Sequence, residues 1–319
     1  MTLLPEYGCI PNAQTPEVLK ELAASAVPWD RDIDTTPAVV EWSSFEAHVK
    51  ERLAASTFAA QSAWWECAQD HDLFTPSQSY RPNCAGFAMA NAALMRLIIQ
   101  SRFQYSEQKY ERFNPMMTWL LSKGGSAYGG QSIAAMAKYG NQVGNFLASD
   151  IGDYDPAKIG TARSEEANRN AARHQIGFSL YDGDDPASAI IDLLKLGYTC
   201  FVGNDLAIAE GTYTDENGVD VVKLSGSRWS HATAFGGAIL YKDTWYFPWM
   251  NSHDRIYKRR QIGDPRIDTM PDFCGLMPEK TVRGFMSGSF ADLCAVLSAE
   301  APYDPDLRAT LNPAAEMEA

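Results

Sequence analysis

The first residue of this sequence that points to chemistry is a cysteine where a polar loop gives way to an apolar helix. In Arg81-Pro82-Asn83-Cys84-Ala85-Gly86-Phe87 the proline closes the loop, and Cys84 stands at the predicted N-terminus of a helix over 85–100. The unpaired N–H groups and positive dipole end at such a position favour an anion. They lower a thiol's pKa toward the thiolate, the form that attacks a carbonyl carbon. Two readings are open on position alone: Cys84 is a nucleophile, or it is a small apolar residue of the core.

A thiolate nucleophile needs a proton acceptor, and the chain has five histidines. His48 lies on a predicted amphipathic helix and reads as a surface residue. His71, between Asp70 and Asp72, reads as a solvated loop residue, and His174 as the end of a polar helix. His253 reads as a loop residue. His231 differs, because it follows a predicted small-residue loop, Ser225–Ser230, and starts the apolar strand whose run continues over Ala232–Leu240. A polar ring at the mouth of a buried strand requires a partner. Asn251 lies 20 residues on, with a turn predicted at Lys242-Asp243, so the return strand brings it back to His231. An Asn oxygen accepting from one ring nitrogen fixes the tautomer and leaves the other for the thiol. Asn251 taken alone also reads as an ordinary strand-end turn residue.

Gln78, Cys84-Ala85-Gly86-Phe87, His231-Ala232-Thr233-Ala234 and Asn251-Ser252 together resemble the papain-like cysteine peptidases, in order and in the six-residue spacing from Gln78 to Cys84. The resemblance covers about residues 70–255 in scattered blocks. It implies Cys84 as nucleophile, His231 as base and acid, Asn251 as the group orienting His231, and Gln78 as an oxyanion donor beside the Cys84 N–H. Gly129 and Gly130, followed by a predicted helix over 132–139, look like the family's Gly-Gly loop, which holds an extended substrate backbone. Tyr128, Trp229 and Trp249 are candidates to line the cleft, and a core would equally absorb them. The sequence also departs from the family pattern. Arg81 stands where secreted members often have a cysteine, Cys84 is not soon followed by Trp, and His253 takes the place of a Trp that commonly shields the Asn–His bond. The first 70 residues lack the long inhibitory prosegment pattern and read as a decoration, a short plug or an interaction module.

The elements that must position these residues change character along the chain. Helices are predicted at 15–26, 43–70, 85–100, 115–121, 132–139 (stopped by Gly140), 165–174 and 186–196. Strands are predicted at 198–203, 219–224, 231–241 and 244–251, with Pro248 making the last irregular or an edge. Helices first and strands later imply an α+β fold. The resemblance makes it a papain-like two-lobed fold with the site in the cleft. The expected organisation is an N-terminal helical extension (1–70), a core over 71–260 (helical lobe about 71–150, β lobe about 175–260) and a C-terminal extension (261–319) with a disordered acidic tail.

The chain has 319 residues, 45% hydrophobic, with a net charge of −13. That composition excludes a disordered chain, and with no basic cluster beyond Lys258-Arg259-Arg260 it argues against nucleic acid and anionic membrane as partners. The most apolar stretch, 85–99, is broken by Asn91 and Arg96 and falls short of the roughly 20 residues a membrane span needs. No signal peptide is read, so a cytoplasmic location, or one within a larger particle, is expected. The six cysteines have neither Cys-x-x-Cys nor zinc-ligand spacing and read mostly as free thiols, with no metal and no cofactor expected. The function that follows is a cysteine peptidase or amide hydrolase acting on a peptide or protein substrate. Two alternatives stand beside it. One is a papain-like fold used as a structural component of an assembly such as a virus particle, docking through 1–70 or 261–319. The other is an acyltransferase of the same chemistry.

Overall fold

The computed structural model of the chain describes residues 9–10, 39–54, 65, 82–103, 111–124, 129–151, 165–253 and 256–299. The expected helix at 15–26 and the acidic tail lie outside these residues.

Helix α1 (Trp42–Ala54) buries Trp42, Phe45 and Val49, residues spaced three and four apart that share one helix face. Helix α2 (Cys84–Phe103) is buried all round from Cys84 to Ile99 except at the half-buried Arg96. An all-apolar helix belongs between layers, and that is where it lies. Helix α3 (Pro115–Ser122) has proline at its first position, and Asn114 caps it by accepting from the Met117 N–H at 3.0 Å. A two-residue strand β2 (Gln131–Ser132) leads into α4 (Ile133–Gln142), where Ser132 Oγ accepts from the Ala135 N–H. Gly140 does not stop this helix. A Cβ there would lie 2.5 Å from Met89 Sδ, so the glycine serves the close packing of α4 on α2. Short helices α5 (Ala148–Ile151) and α6 (Glu165–Ala172) complete the helical half.

The second half is one antiparallel sheet. Its strands are β3 (Ile176–Leu180), β4 (Thr199–Thr214), β5 (Asp220–Gly236), β6 (Ile239–Tyr241), β7 (Thr244–Met250), β8 (Cys274–Pro278) and β9 (Ala291–Ala299), with helices α7 (Pro186–Lys195), α8 (Pro265–Asp268) and α9 (Glu279–Phe285) between them. The order is β3-β9-β4-β5-β7-β6, with β8 paired to β7. Helix-rich first and antiparallel strands after, the fold is α+β. A separate strand β1 (Cys9–Ile10) pairs in parallel with β2.

Four further expectations change. Residues 225–230 are not a loop, because β5 runs unbroken through them, paired to the long β4 with register shifts at Asn204/Leu206 and Leu206/Ile208. Pro248 is in a strand with neighbours on both sides rather than at an edge. It pairs with Leu276 of β8, and on the other side it falls between the β6 pairing, which ends at Tyr246, and the β5 pairing, which begins at Trp249. No donor is missed there. Residues 261–299 are not an appendage either. They supply α8, β8, α9 and β9, and β9 lies inside the sheet between β3 and β4. Likewise α1, expected in an N-terminal extension, shares a core with α7 and the sheet.

The sheet carries a core on each face. Phe201, Ala232, Ala234 and Val296 point to α2, α3 and α4, while Cys200, Val202, Phe235 and Ala295 point to α1, α7 and α9. Arg96 fastens α2 to the sheet by donating to the carbonyls of Leu297 and Gly197 at 3.0 and 2.8 Å. Thr199 Oγ1 donates to the Ala92 carbonyl at 2.8 Å. These contacts fix where the N-terminus of α2 meets β5.

Candidate active site

Helix α2 begins at Cys84 because the Asn83 carbonyl accepts from the N–H groups of Gly86 and Phe87 at 3.0 and 3.2 Å. The N–H groups of Cys84 and Ala85 lie at the open end of the helix, and both act to lower the pKa of the thiol. A third N–H comes from Ala232 on β5, the residue after His231. The thiol thus lies where the helix end and β5 meet. The three donors draw its pKa down, as the sequence predicts. Complete burial outweighs them and leaves the thiol pushed up to about 12. The expected net lowering is therefore reversed in this resting form. Cys84, Cys200, Cys274 and Cys294 are all free and buried.

His231 sits within β5, opposite Asn204 on β4, rather than at the strand's mouth. Hairpin β6–β7 turns at Lys242-Asp243, both with positive φ, 46° and 61°. Strand β7 then returns beside β5, with Ala234 opposite Met250, so Asn251 follows at the level of Thr233, one same-face position from His231. His231 Nε2 donates to Asn251 Oδ1 at 2.8 Å, and the Ser252 N–H donates to the same oxygen at 2.8 Å. A backbone donor on that oxygen settles the amide's orientation and hence the imidazole tautomer. Asn251 Nδ2 donates to Tyr257 at 3.5 Å. Both Asn251 and His231 are buried.

Two aromatic rings face the imidazole. Trp229 stacks on His231 with ring centres 5.1 Å apart and planes 6° apart. His253 lies 4.4 Å from His231 at 31° and 4.7 Å from Trp229 at 32°. Reading residues 225–230 as a loop hid the first contact, since alternation along a strand puts 229 and 231 on one face. His253, expected as a loop residue, belongs to the site. Its position two residues past Asn251 was the available signal. Beneath the pair, a cavity of about 300 Å³ is lined by Trp229, His231, Thr233, Trp249, Asn251 and Phe285, among others.

Gly130 is buried, and Gly129 has φ +75° with its carbonyl accepting from Lys123 Nζ at 2.5 Å. The following residues, Gln131–Ser132, are paired with Cys9–Ile10, and β1 also lies against β4 and β5. The chain's own N-terminal segment therefore occupies the β2 edge beside the Gly-Gly loop. Gln78 and Tyr128 lie outside the described residues. Among the described residues there is no group of three or more His, Cys, Asp or Glu side chains that could hold a metal ion. No helix among them is long and apolar enough to cross a membrane. His174, expected at the polar end of a helix, is instead buried two residues past it, and desolvation lowers its pKa to about 4.

No family model and no curated protein matches the sequence. Solved structures of cysteine proteases are similar to it. Xylellain, a cysteine protease from Xylella fastidiosa, aligns at 13% identity and a TM-score of 0.46 over 92% of this chain and 91% of its own. Procathepsin B from Trypanosoma congolense aligns at 14% identity and 0.44 over 86% of each chain. A digestive procathepsin L from Tenebrio molitor larval midgut aligns at 12% identity and 0.38 over 83% and 88%.

Proposed function

We propose that this protein is a cysteine peptidase or related amide hydrolase whose nucleophile is Cys84. The observation that carries the reading is the convergence of Cys84, at an α-helix N-terminus, with a strand whose His231 is oriented by Asn251. That is the nucleophile–base–orienter arrangement of acyl transfer. With Nε2 committed to Asn251, proton exchange with the thiol falls to Nδ1. The Cys84 proton passes to His231 as the sulfur attacks the substrate carbonyl carbon. The resulting oxyanion is met by the Cys84 N–H, with Gln78 as the second donor that the sequence resemblance assigns. Imidazolium then protonates the leaving amine, the C–N bond breaks, and a thioester remains. Water, giving its proton to His231, attacks the thioester, releases the acid and regenerates the thiol. The chemistry requires no metal and no cofactor.

The thiol's high pKa is an expression of burial. On this reading, proton transfer to His231 is what gives a thiolate near neutral pH. An extended peptide would add along Gln131–Ser132, the edge that Cys9–Ile10 now takes. In the full chain this edge must be vacated first, so shortening the chain by its first ten residues is expected to raise peptide hydrolysis. The test of the assignment is labelling with an electrophilic peptide probe directed at thiols. The parent is expected to be labelled at Cys84 and Cys84→Ala to be unlabelled. Equal labelling of both would overturn the assignment.

A further inference from the structure

The imidazole of His231 is held on one side by a hydrogen bond and on its face by rings. Trp229 is parallel to it within 6°, at 5.1 Å, while 40% of Trp229 remains exposed. An indole face is electron-rich and attracts a cation within about 6 Å of its centre. A ring that alternates between imidazole and imidazolium therefore interacts with this indole more strongly in the charged form. We propose that Trp229 is a positioning residue for His231: its indole face holds the imidazole in the plane that the Asn251 bond requires and favours the ring's cationic form. The proposal rests on the catalytic reading of His231 and adds to it a residue that touches no reacting atom. It also gives Trp229 a role different from the substrate contact expected from the sequence.

The charged and titratable groups near the imidazole are His253, tilted against it, Cys84 at the end of α2, Glu210, which lines the same cavity, and Arg228 on the same strand, paired with Asp205. Replacing Trp229 leaves Cys84, Glu210 and Arg228 in place but removes a ring contact of His253, so the His253 signals are followed in the same titration to separate its contribution from that of the indole.

The experiment is an NMR titration of the full-length, ¹⁵N-histidine-labelled protein, with the His231 signals assigned by their loss in His231→Asn. In Trp229→Leu the proton affinity of His231 is expected to fall about two- to fivefold, the strength of an indole–cation contact at a partly exposed site. In Trp229→Phe, which keeps a ring face, the fall is expected to be smaller. Peptide hydrolysis by Trp229→Leu is expected to lose kcat while KM holds. An unchanged His231 midpoint in Trp229→Leu, or a His231 that never protonates in the folded parent, would overturn the proposal, as would a loss confined to KM. Thermal unfolding checks that both variants are folded, and an exposed ring is a mild site for either change. The two readings fail separately: a shifted midpoint in a protein without hydrolysis counts against the peptidase alone, and hydrolysis with an unshifted midpoint counts against Trp229 alone.

Discussion

The two sides of the candidate site are held by different forces. Cys84 starts a helix that is apolar on nearly every face, and its position is set by close packing of Met89, Leu94, Met95 and their neighbours between layers. His231 sits on a strand, and its ring is set by directed contacts: one hydrogen bond from Nε2, a stacked indole and a tilted imidazole. Packing places Cys84 without charge compensation and leaves its proton firmly bound. Directed bonds choose a tautomer and a plane for His231. The proposed acyl transfer needs both, one to place the sulfur and the other to place the proton acceptor.

The comparison can be broken from the packing side first. Leu94→Ala in α2, a side chain 1% exposed, is expected to cost about 2–5 kcal/mol of stability, read by urea unfolding. The reactivity of the molecules that remain folded should barely change, since no directed contact of His231 is touched.

A second effect probes the same helical layer through charge. His174 is buried against Phe113, with a folded pKa of about 4 against 6.5 for the free group. Between these values the unfolded chain binds more protons than the folded one. Stability should therefore fall as pH drops from about 6.5 toward 4, by roughly 2–3 kcal/mol, and stay level above that window. His174→Phe should flatten this slope in a pH series of thermal midpoints.

The smallest effect lies on the directed side. Asn251→Ala removes one hydrogen bond to the ring, worth about 1–1.5 kcal/mol, so hydrolysis should fall roughly tenfold while the unfolding midpoint moves little. A tenfold fall with an unmoved midpoint separates orientation from packing. A collapse of stability instead would show that the bond is part of the scaffold.

How much of this was legible in the sequence follows the same division. Helix α2 could be read because a long, mostly apolar run after Pro82 and Asn83 has few other fates. The His231–Asn251 pair could be read because Lys242-Asp243 sets a tight turn nearly midway between two apolar strands. Strand β5 was hidden where Ser225, Gly226 and Ser227 carry no apolar alternation, and its pairing to β4 decides the conformation there. Strands β8 and β9 were hidden because apolar runs as short as Gly275–Met277 do not announce their partners, which lie far away in sequence. Gly140 misled because a glycine needed for close packing and one that ends a helix look alike in sequence.

If His231 takes the proton of Cys84, as proposed, the pH dependence of Cys84 alkylation must change when the imidazole is removed. Iodoacetamide modification, followed at Cys84 by mass spectrometry, is compared between the parent and His231→Ala. The parent is expected to be modified near neutral pH, and His231→Ala to react only as pH climbs toward the buried thiol's own value of about 12. Superimposable profiles for the two proteins would contradict it.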